Sequence, residues 1–360
     1  MSDDHHGIDE PTDVIGAEGE PAIPEREVSL ARRFLNVRTI GSIVFAGLML
    51  FLLFRFALNV NFGRTWGLIT GANPALLLVA TFAYYLTFPL RGYRWRFVLA
   101  RSGVKVPFRD ATEILFLSWF VNCLVPAKLG DLYRAYLLKG NYGASGSRTV
   151  GTIFIERIAD IIVIFVLALA AGYWSFRGRS RPEIDFIFLV GAIVAALLVV
   201  LVASLRYFGD RITGRLPERF AQFYARFREG STDAVSLRAL PAILLMTGGI
   251  WLLEGTRLYF VIQALALPEV GLGISASVFV ALAAALLTAI PLTPAGVGFV
   301  ELAIAVALGF YGVGQDPAAA VAFTDRAISI LTVIVLGGIL YAFSKKVRRA
   351  HGAARVASAG

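Results

Sequence analysis

Charge is scarce in this chain of 360 residues: 16% are Asp, Glu, Lys or Arg against 57% hydrophobic, and the mean hydropathy is +0.71. That balance excludes a soluble domain of this length and points to an integral membrane protein. Cysteine is almost absent, and Cys123 alone can build neither an intrachain disulfide nor a cysteine metal site. Histidines number three, and His5, His6 and His351 all lie in polar ends. A membrane H-E-x-x-H zinc site and a Ser-His-Asp triad are thereby excluded. No G-x-x-x-x-G-K-S/T loop occurs, which argues against direct ATP drive. Gly296-x-Gly298 runs into x-x-Glu301 in an apolar setting and makes a poor dinucleotide fingerprint, and no acidic D-x-D cluster is visible. The expectation is therefore no enzyme activity, no cofactor, no metal and no nucleic-acid partner.

What charge there is lies unevenly. Residues 1–30 hold nine acids against the single base Arg26, and with their Pro and Gly they read as a disordered acidic tail. That tail lacks a basic segment followed by a short apolar one, so the first apolar run is expected to serve as an uncleaved anchor. Apolar runs long enough to cross about 30 Å of hydrocarbon fall at approximately 39–58, 74–90, 150–173, 184–204, 241–262 and 319–343. Two shorter pairs of limbs, 111–125 with 131–138 and 272–291 with 297–311, are each divided by a helix-breaking motif.

Those motifs are nearly the same. Val125-Pro126-Ala127-Lys128-Leu129-Gly130 is followed by Thr293-Pro294-Ala295-Gly296-Val297-Gly298, 168 residues on. After each comes an acid-arginine pair inside an apolar helix, Glu156-Arg157 and then Asp325-Arg326. The run from Arg91 to Val98 also resembles the run from Glu254 to Val261, at an offset of 163. Such duplication of broken segments is a transporter plan. Basic residues test its topology. If both divided segments enter and leave on one side, 24 bases face the cytoplasm and four face away, which predicts N-in and C-in ends. The two copies are then inverted, with repeat units at about 74–173 and 241–343.

Broken helices expose amide groups that attract anions. Thr293 is placed to cap the second broken helix with Pro294 at its first position, and the glycines at 296 and 298 allow close approach. In the first copy Val125 cannot cap, while Lys128 adds a cationic donor. Ionisable residues at membrane depth point to function by default. Here they are Arg94, Asp131, Arg134, Glu156, Arg157, Asp160, Glu254, Arg257, Glu301, Asp325 and Arg326. Two readings stay open: buried ion pairs that hold the bundle together, or free guanidinium groups that clamp a phosphate. Phe220, Phe223, Tyr224 and Phe227, interleaved with Arg219, Arg226 and Arg228, mark an amphipathic helix within 206–238, on the cytoplasmic leaflet or under the bundle.

The ordered set Arg94-Trp95, Pro126-Ala-Lys-Leu-Gly130-Asp131 with Arg134, Glu156-Arg157 with Asp160, Pro291-x-x-Pro294-Ala-Gly296-x-Gly298 with Glu301, and Asp325-Arg326 resembles the flippase-like family, also called the lysylphosphatidylglycerol synthase transmembrane region. The resemblance covers roughly 39–343. It implies a module that flips a modified lipid in aminoacyl-phosphatidylglycerol synthases and is associated with dolichol-linked sugars in archaeal relatives. No soluble aminoacyl-transfer domain follows before Gly360, so a stand-alone member without synthase activity is expected. The resulting expectation is an all-α polytopic protein of the cell membrane with six full transmembrane helices and two broken re-entrant hairpins. Residues 344–360 form a basic cytoplasmic tail. Its function would be flippase or scramblase transport of an anionic, phosphate-bearing lipid, with membrane lipids and a lipid-modifying enzyme as partners. The residues named above, together with Pro126, Gly130, Thr293, Pro294, Gly296 and Gly298, would bind it. The alternatives are a small-solute or ion carrier on the same plan and a lipid-modifying membrane enzyme.

Overall fold

A computed structural model describes residues 59–125, 128–177, 238–267, 271–287 and 293–359, with isolated positions between 48 and 55 and between 189 and 236. The acidic tail at 1–30, the expected spans 39–58 and 184–204, the amphipathic segment 206–238, and Pro126 and Pro291 lie wholly or mostly outside the described residues.

Among the described residues every regular element is helical. Helix α1 (Phe62–Thr70) precedes α2 (Pro74–Arg101), where Asn73 caps by accepting from the amides of Ala75 at 2.9 Å and Leu76 at 3.4 Å, and Pro74 sits at the first position. Then follow α3 (Phe108–Leu124), α4 (Leu129–Tyr142) and α5 (Gly146–Phe176). The second series is α6 (Leu240–Ala264), α7 (Ile274–Leu287), a short 3₁₀ turn at Pro294–Gly296, α8 (Phe299–Gly309), and α9 (Gln315–Arg326). A π-helical turn at Ala327–Leu331 joins α9 to α10 (Thr332–Phe343). Two stretches, Pro74–Arg101 and the continuous run Gln315–Phe343, are long and apolar enough to cross a membrane by length and composition. The 31-residue α5 and 25-residue α6 also exceed the roughly 20 residues a span requires.

The order is the same twice: a long helix, a short limb, a break, a second short limb, and a long helix. Packing repeats as well. A Cβ on Gly92 of α2 would lie 2.9 Å from the Cα of Thr112 in α3, and one on Gly255 of α6 would lie 2.9 Å from the Cα of Val278 in α7. Glycine thus lets each long helix touch the backbone of its own first limb. The two leading helices, α2 and α6, pack on each other at the centre. Sequence reading ended the second span at 90 and counted Arg91 and Arg94 in a cytoplasmic loop. The helix instead runs to Arg101 and both side chains are buried, because their charges are paired inside the bundle. Arg134 is buried too. Arg91, Arg94 and Arg134 thus leave the set of loop bases on which the topology expectation was built.

The segment expected as a basic tail forms α11 (Lys345–Ala359), which packs on α4 through buried Val347 and Ala350. The Lys346 ammonium lies 2.9 Å from Asp110 and 3.0 Å from Glu113, and the Ser344 hydroxyl donates to Glu113 at 2.6 Å. Burial pushes the Asp110 carboxyl up, but bonds from the Tyr142 hydroxyl and Lys346 outweigh it and hold it below its ordinary value. Burial likewise pulls Lys346 down, yet the two carboxylates raise it. A lowered carboxylate contributes stability above its unfolded pKa of about 3.9 that is lost on acidification, and a raised lysine contributes below about 10.4 what is lost at higher pH.

Docking of α11 should therefore be firmest between those limits, and amide exchange in α11 should accelerate toward either one. The same exchange measurement on Lys346→Gln should show faster exchange at neutral pH. At Gly130 a Cβ would meet the Ser118 carbonyl at 2.1 Å, whereas nothing lies within 4 Å of one on Gly248. Gly130→Ala should lower stability by about 1–3 kcal/mol, and Gly248→Ala should not, as read by thermal unfolding in detergent.

Candidate functional site

The acid-arginine pairs divide their labour in the same way in both copies. In the first, Glu156 of α5 accepts from Arg94 Nε at 3.2 Å and from Arg134 Nη2 at 2.5 Å. Its neighbour Arg157 turns the other way, donating to both oxygens of Asp131 in the first turn of α4 at 2.8 to 3.1 Å. In the second, Asp325 of α9 accepts from Arg257 Nε at 2.8 Å and Nη2 at 3.0 Å. Arg326 turns away to Glu301 in the first turn of α8, at 3.1 Å, and to the Ala295 carbonyl. Each acid ties its closing helix to an arginine of the leading helix, and each arginine ties it to the second limb beyond the break. Bidentate geometry adds directional strength to these bonds.

Three further bonds join the copies. Arg91 of α2 reaches Glu254 of α6 at 2.9 Å, and Glu254 also accepts from Arg257 at 2.6 Å. Arg94 binds Asp160 at 2.6 Å and Thr247 of α6 at 2.7 Å, while the Trp251 indole donates to Asp160 at 3.2 Å. Aromatic faces cover the cations: Arg91 lies 4.6 Å from the Trp119 ring and 5.3 Å from Trp251, Arg134 lies 4.4 Å from Trp95, and Arg257 lies 5.0 Å from Tyr84.

Between these pairs lies a cavity of about 400 Å³ whose wall includes Lys128, Asp131 and Arg157 from the first copy and Thr293, Gly296 and Arg326 from the second. Asp160, Glu254, Arg257 and Asp325 line it as well. Its size is within the usual range for small-ligand sites. Arg157, with a side chain 27% exposed, is open to this space, while Arg94 at 3% is sealed behind it.

Local backbone at the breaks differs from the sequence expectation. Thr293 does not cap a helix; its hydroxyl donates to the Val297 carbonyl at 2.8 Å. The helix begins later, at Phe299, and Glu301 accepts from the Gly298 amide at 2.7 Å. In the first copy Asn122, at the end of α3, accepts from the Gly130 amide at 2.8 Å. Both helix ends thus hand an amide to a side chain, which reduces what they offer an anion. Lys128 has φ 52° and Gly296, its counterpart in the motif, has φ 71°. Glycine adopts that left-handed region freely, whereas for lysine it costs roughly 1–2 kcal/mol.

Of the residues expected to bind, Arg94, Gly130, Arg134, Glu156, Pro294, Gly298 and Glu301 stand outside the cavity wall. They support it: Arg94, Arg134 and Glu156 form a sealed ion-pair core, Gly130 admits the hairpin closure, and Glu301 holds Arg326. Of the two readings left open by the sequence, Arg94, Arg134, Arg157, Arg257 and Arg326 all follow the ion-paired one. Pro126 lies outside the described residues. Sequence reasoning missed Arg91, Trp119, Trp251, Tyr84 and Asn122. Arg91 had a visible signal, its match to Glu254 at the repeat offset; aromatic residues in apolar helices carry none.

The sequence matches the profile of the lysylphosphatidylglycerol synthase TM region over residues 39–337. It is 36% identical to a UPF0104 membrane protein of Methanocaldococcus jannaschii, over 62% of this chain and 93% of that one. A UPF0104 membrane protein of Pyrococcus horikoshii is 24% identical over 79% of this chain and 91% of the relative. The glycosyltransferase AglD of Haloferax volcanii is 26% identical over 74% of this chain, and the match spans 48% of AglD.

Removing one partner of a buried pair strands the other. Arg257→Gln should cost about 3–5 kcal/mol in thermal unfolding, and Arg257→Met combined with Asp325→Leu should recover much of that loss.

Proposed function

This chain belongs to the lysylphosphatidylglycerol synthase TM region family of membrane proteins, and on that premise we propose that it moves a phosphate-bearing anionic lipid between leaflets. The headgroup occupies the cavity between the two breaks while the tails stay in the bilayer. The observation that carries this reading is the cavity itself. Charged walls contributed by both copies meet there, flanked by backbone breaks, in a chain otherwise apolar. A neutral-lipid or purely structural bundle has no use for partly open guanidinium groups such as Arg157 at that depth.

In this reading the polytopic chain has its ends in the cytoplasm and its two hairpins inverted. Headgroup oxygens exchange onto Arg157 and then Arg326 as those arginines loosen from Asp131 and Glu301. The exchange keeps each guanidinium bonded, while the released Asp131 retains the nearby Lys128 and the released Glu301 retains the Gly298 amide as partners. The named glycosyltransferase among the relatives combines the matching segment with further sequence. A lipid that a modifying enzyme supplies or consumes is a fitting cargo for this chain, and no chemistry on the lipid is assigned to the cavity.

Reconstituted vesicles carrying a labelled phospholipid give the test. Arg157→Ala and Arg326→Ala should each slow translocation about tenfold or more, the loss expected for one charge-assisted hydrogen bond. Unchanged rates in both variants, with unfolding temperatures intact, would sink the path. Faster movement of a small soluble anion than of the lipid would favour a solute carrier.

A further inference from the structure

We propose that Lys128 is the group by which the cavity recognises phosphate, and that it selects a phosphate-bearing headgroup over a neutral one. This rests on the translocation reading above and names its specificity residue.

Charge balance is the first argument. Six arginines (91, 94, 134, 157, 257 and 326) and six carboxylates (131, 156, 160, 254, 301 and 325) satisfy one another in and around the cavity. Lys128 lines the same cavity; its carbonyl accepts from the Asp131 amide at 3.0 Å, while its ammonium makes no ion pair among the described residues. Among the described residues in and around the cavity, that leaves one positive charge in excess. Beyond the cost of its burial, the ammonium is repelled by Arg157 and attracted by Asp131 and Asp160. An anion placed between the two cations relieves that repulsion, whereas a neutral headgroup does not.

The second argument comes from the repeat. The second copy places two residues in the left-handed region at its break, Ala295 at φ 49° and Gly296 at φ 71°. The first copy holds a lysine there at φ 52°. Glycine would relieve the strain at Lys128, and among the left-handed residues at the two breaks Lys128 alone brings a charge to the cavity wall. A lysine binds phosphate as a point charge without needing planar geometry.

Purified protein in detergent would be titrated with short-chain phosphatidylglycerol, short-chain diacylglycerol and inorganic phosphate, with thermal unfolding as the readout. Phosphatidylglycerol should stabilise the unmodified chain and Lys128→Arg, and diacylglycerol should not. Lys128→Gln should weaken apparent affinity for phosphatidylglycerol about tenfold or more. Lys128→Gly should unfold no earlier than the unmodified chain while losing the same response, which separates recognition from folding. Unchanged phosphatidylglycerol affinity in Lys128→Gln and Lys128→Gly would overturn the proposal, as would equal stabilisation by diacylglycerol. Inorganic phosphate matching the lipid in affinity, and losing it in Lys128→Gln, would uphold the phosphate site while identifying a soluble phosphate as its ligand. Lys128-dependent lipid binding without any translocation in vesicles would sink the transport reading alone.

Discussion

A carboxylate buried beside two arginines cannot be moved without stranding a charge, and the whole arrangement of helices follows from that constraint. Glu156 and Asp325 fix the closing helices against Arg94 and Arg257 on the central pair α2 and α6. Arg157 and Arg326 then fix the limbs that follow each break. The Arg91 to Glu254 bond locks one copy to the other. In an apolar bundle, where helices gain little from hydrophobic exclusion against each other, such polar bonds and close glycine contacts define register. The stacked faces of Trp95, Trp119 and Trp251 complete the seal by covering the cations where no carboxylate reaches.

The same pairs are graded in exposure. Those involving Arg94 and Arg134 are closed to solvent and act as structure. Those involving Arg157 and Arg326 are partly open and face the cavity, so an incoming oxyanion can compete for them. The π-helical turn directly after Arg326 lies on the same wall through Ser329 and Ile330. Local irregularity of that kind is common where a helix serves a functional site.

Sequence periodicity and hydropathy identified the helices well where charge was absent and stopped short where it was present. The second span was cut at residue 90 because Arg91 and Arg94 look like a loop until their partners are known. Thr293 looked like a cap from its type and its neighbour Pro294, but a hydroxyl can serve a carbonyl as readily as an amide, and here it serves Val297. The doubled order of helices could be read beforehand because it rests on spacing, which does not depend on knowing any contact.

Sequence by itself determined the membrane class, the doubled order of long helix, broken hairpin and long helix, and the set of charges at depth. Composition and spacing are one-dimensional properties, so the chain displays them directly. Only the tertiary structure decided which charge meets which, and therefore which groups are sealed supports and which line the cavity. Glu156 and Arg157 are adjacent in the chain yet point to different helices, as do Asp325 and Arg326. Neighbours on a helix are turned about 100° apart, and what each then reaches depends on helices brought alongside from far away in the sequence.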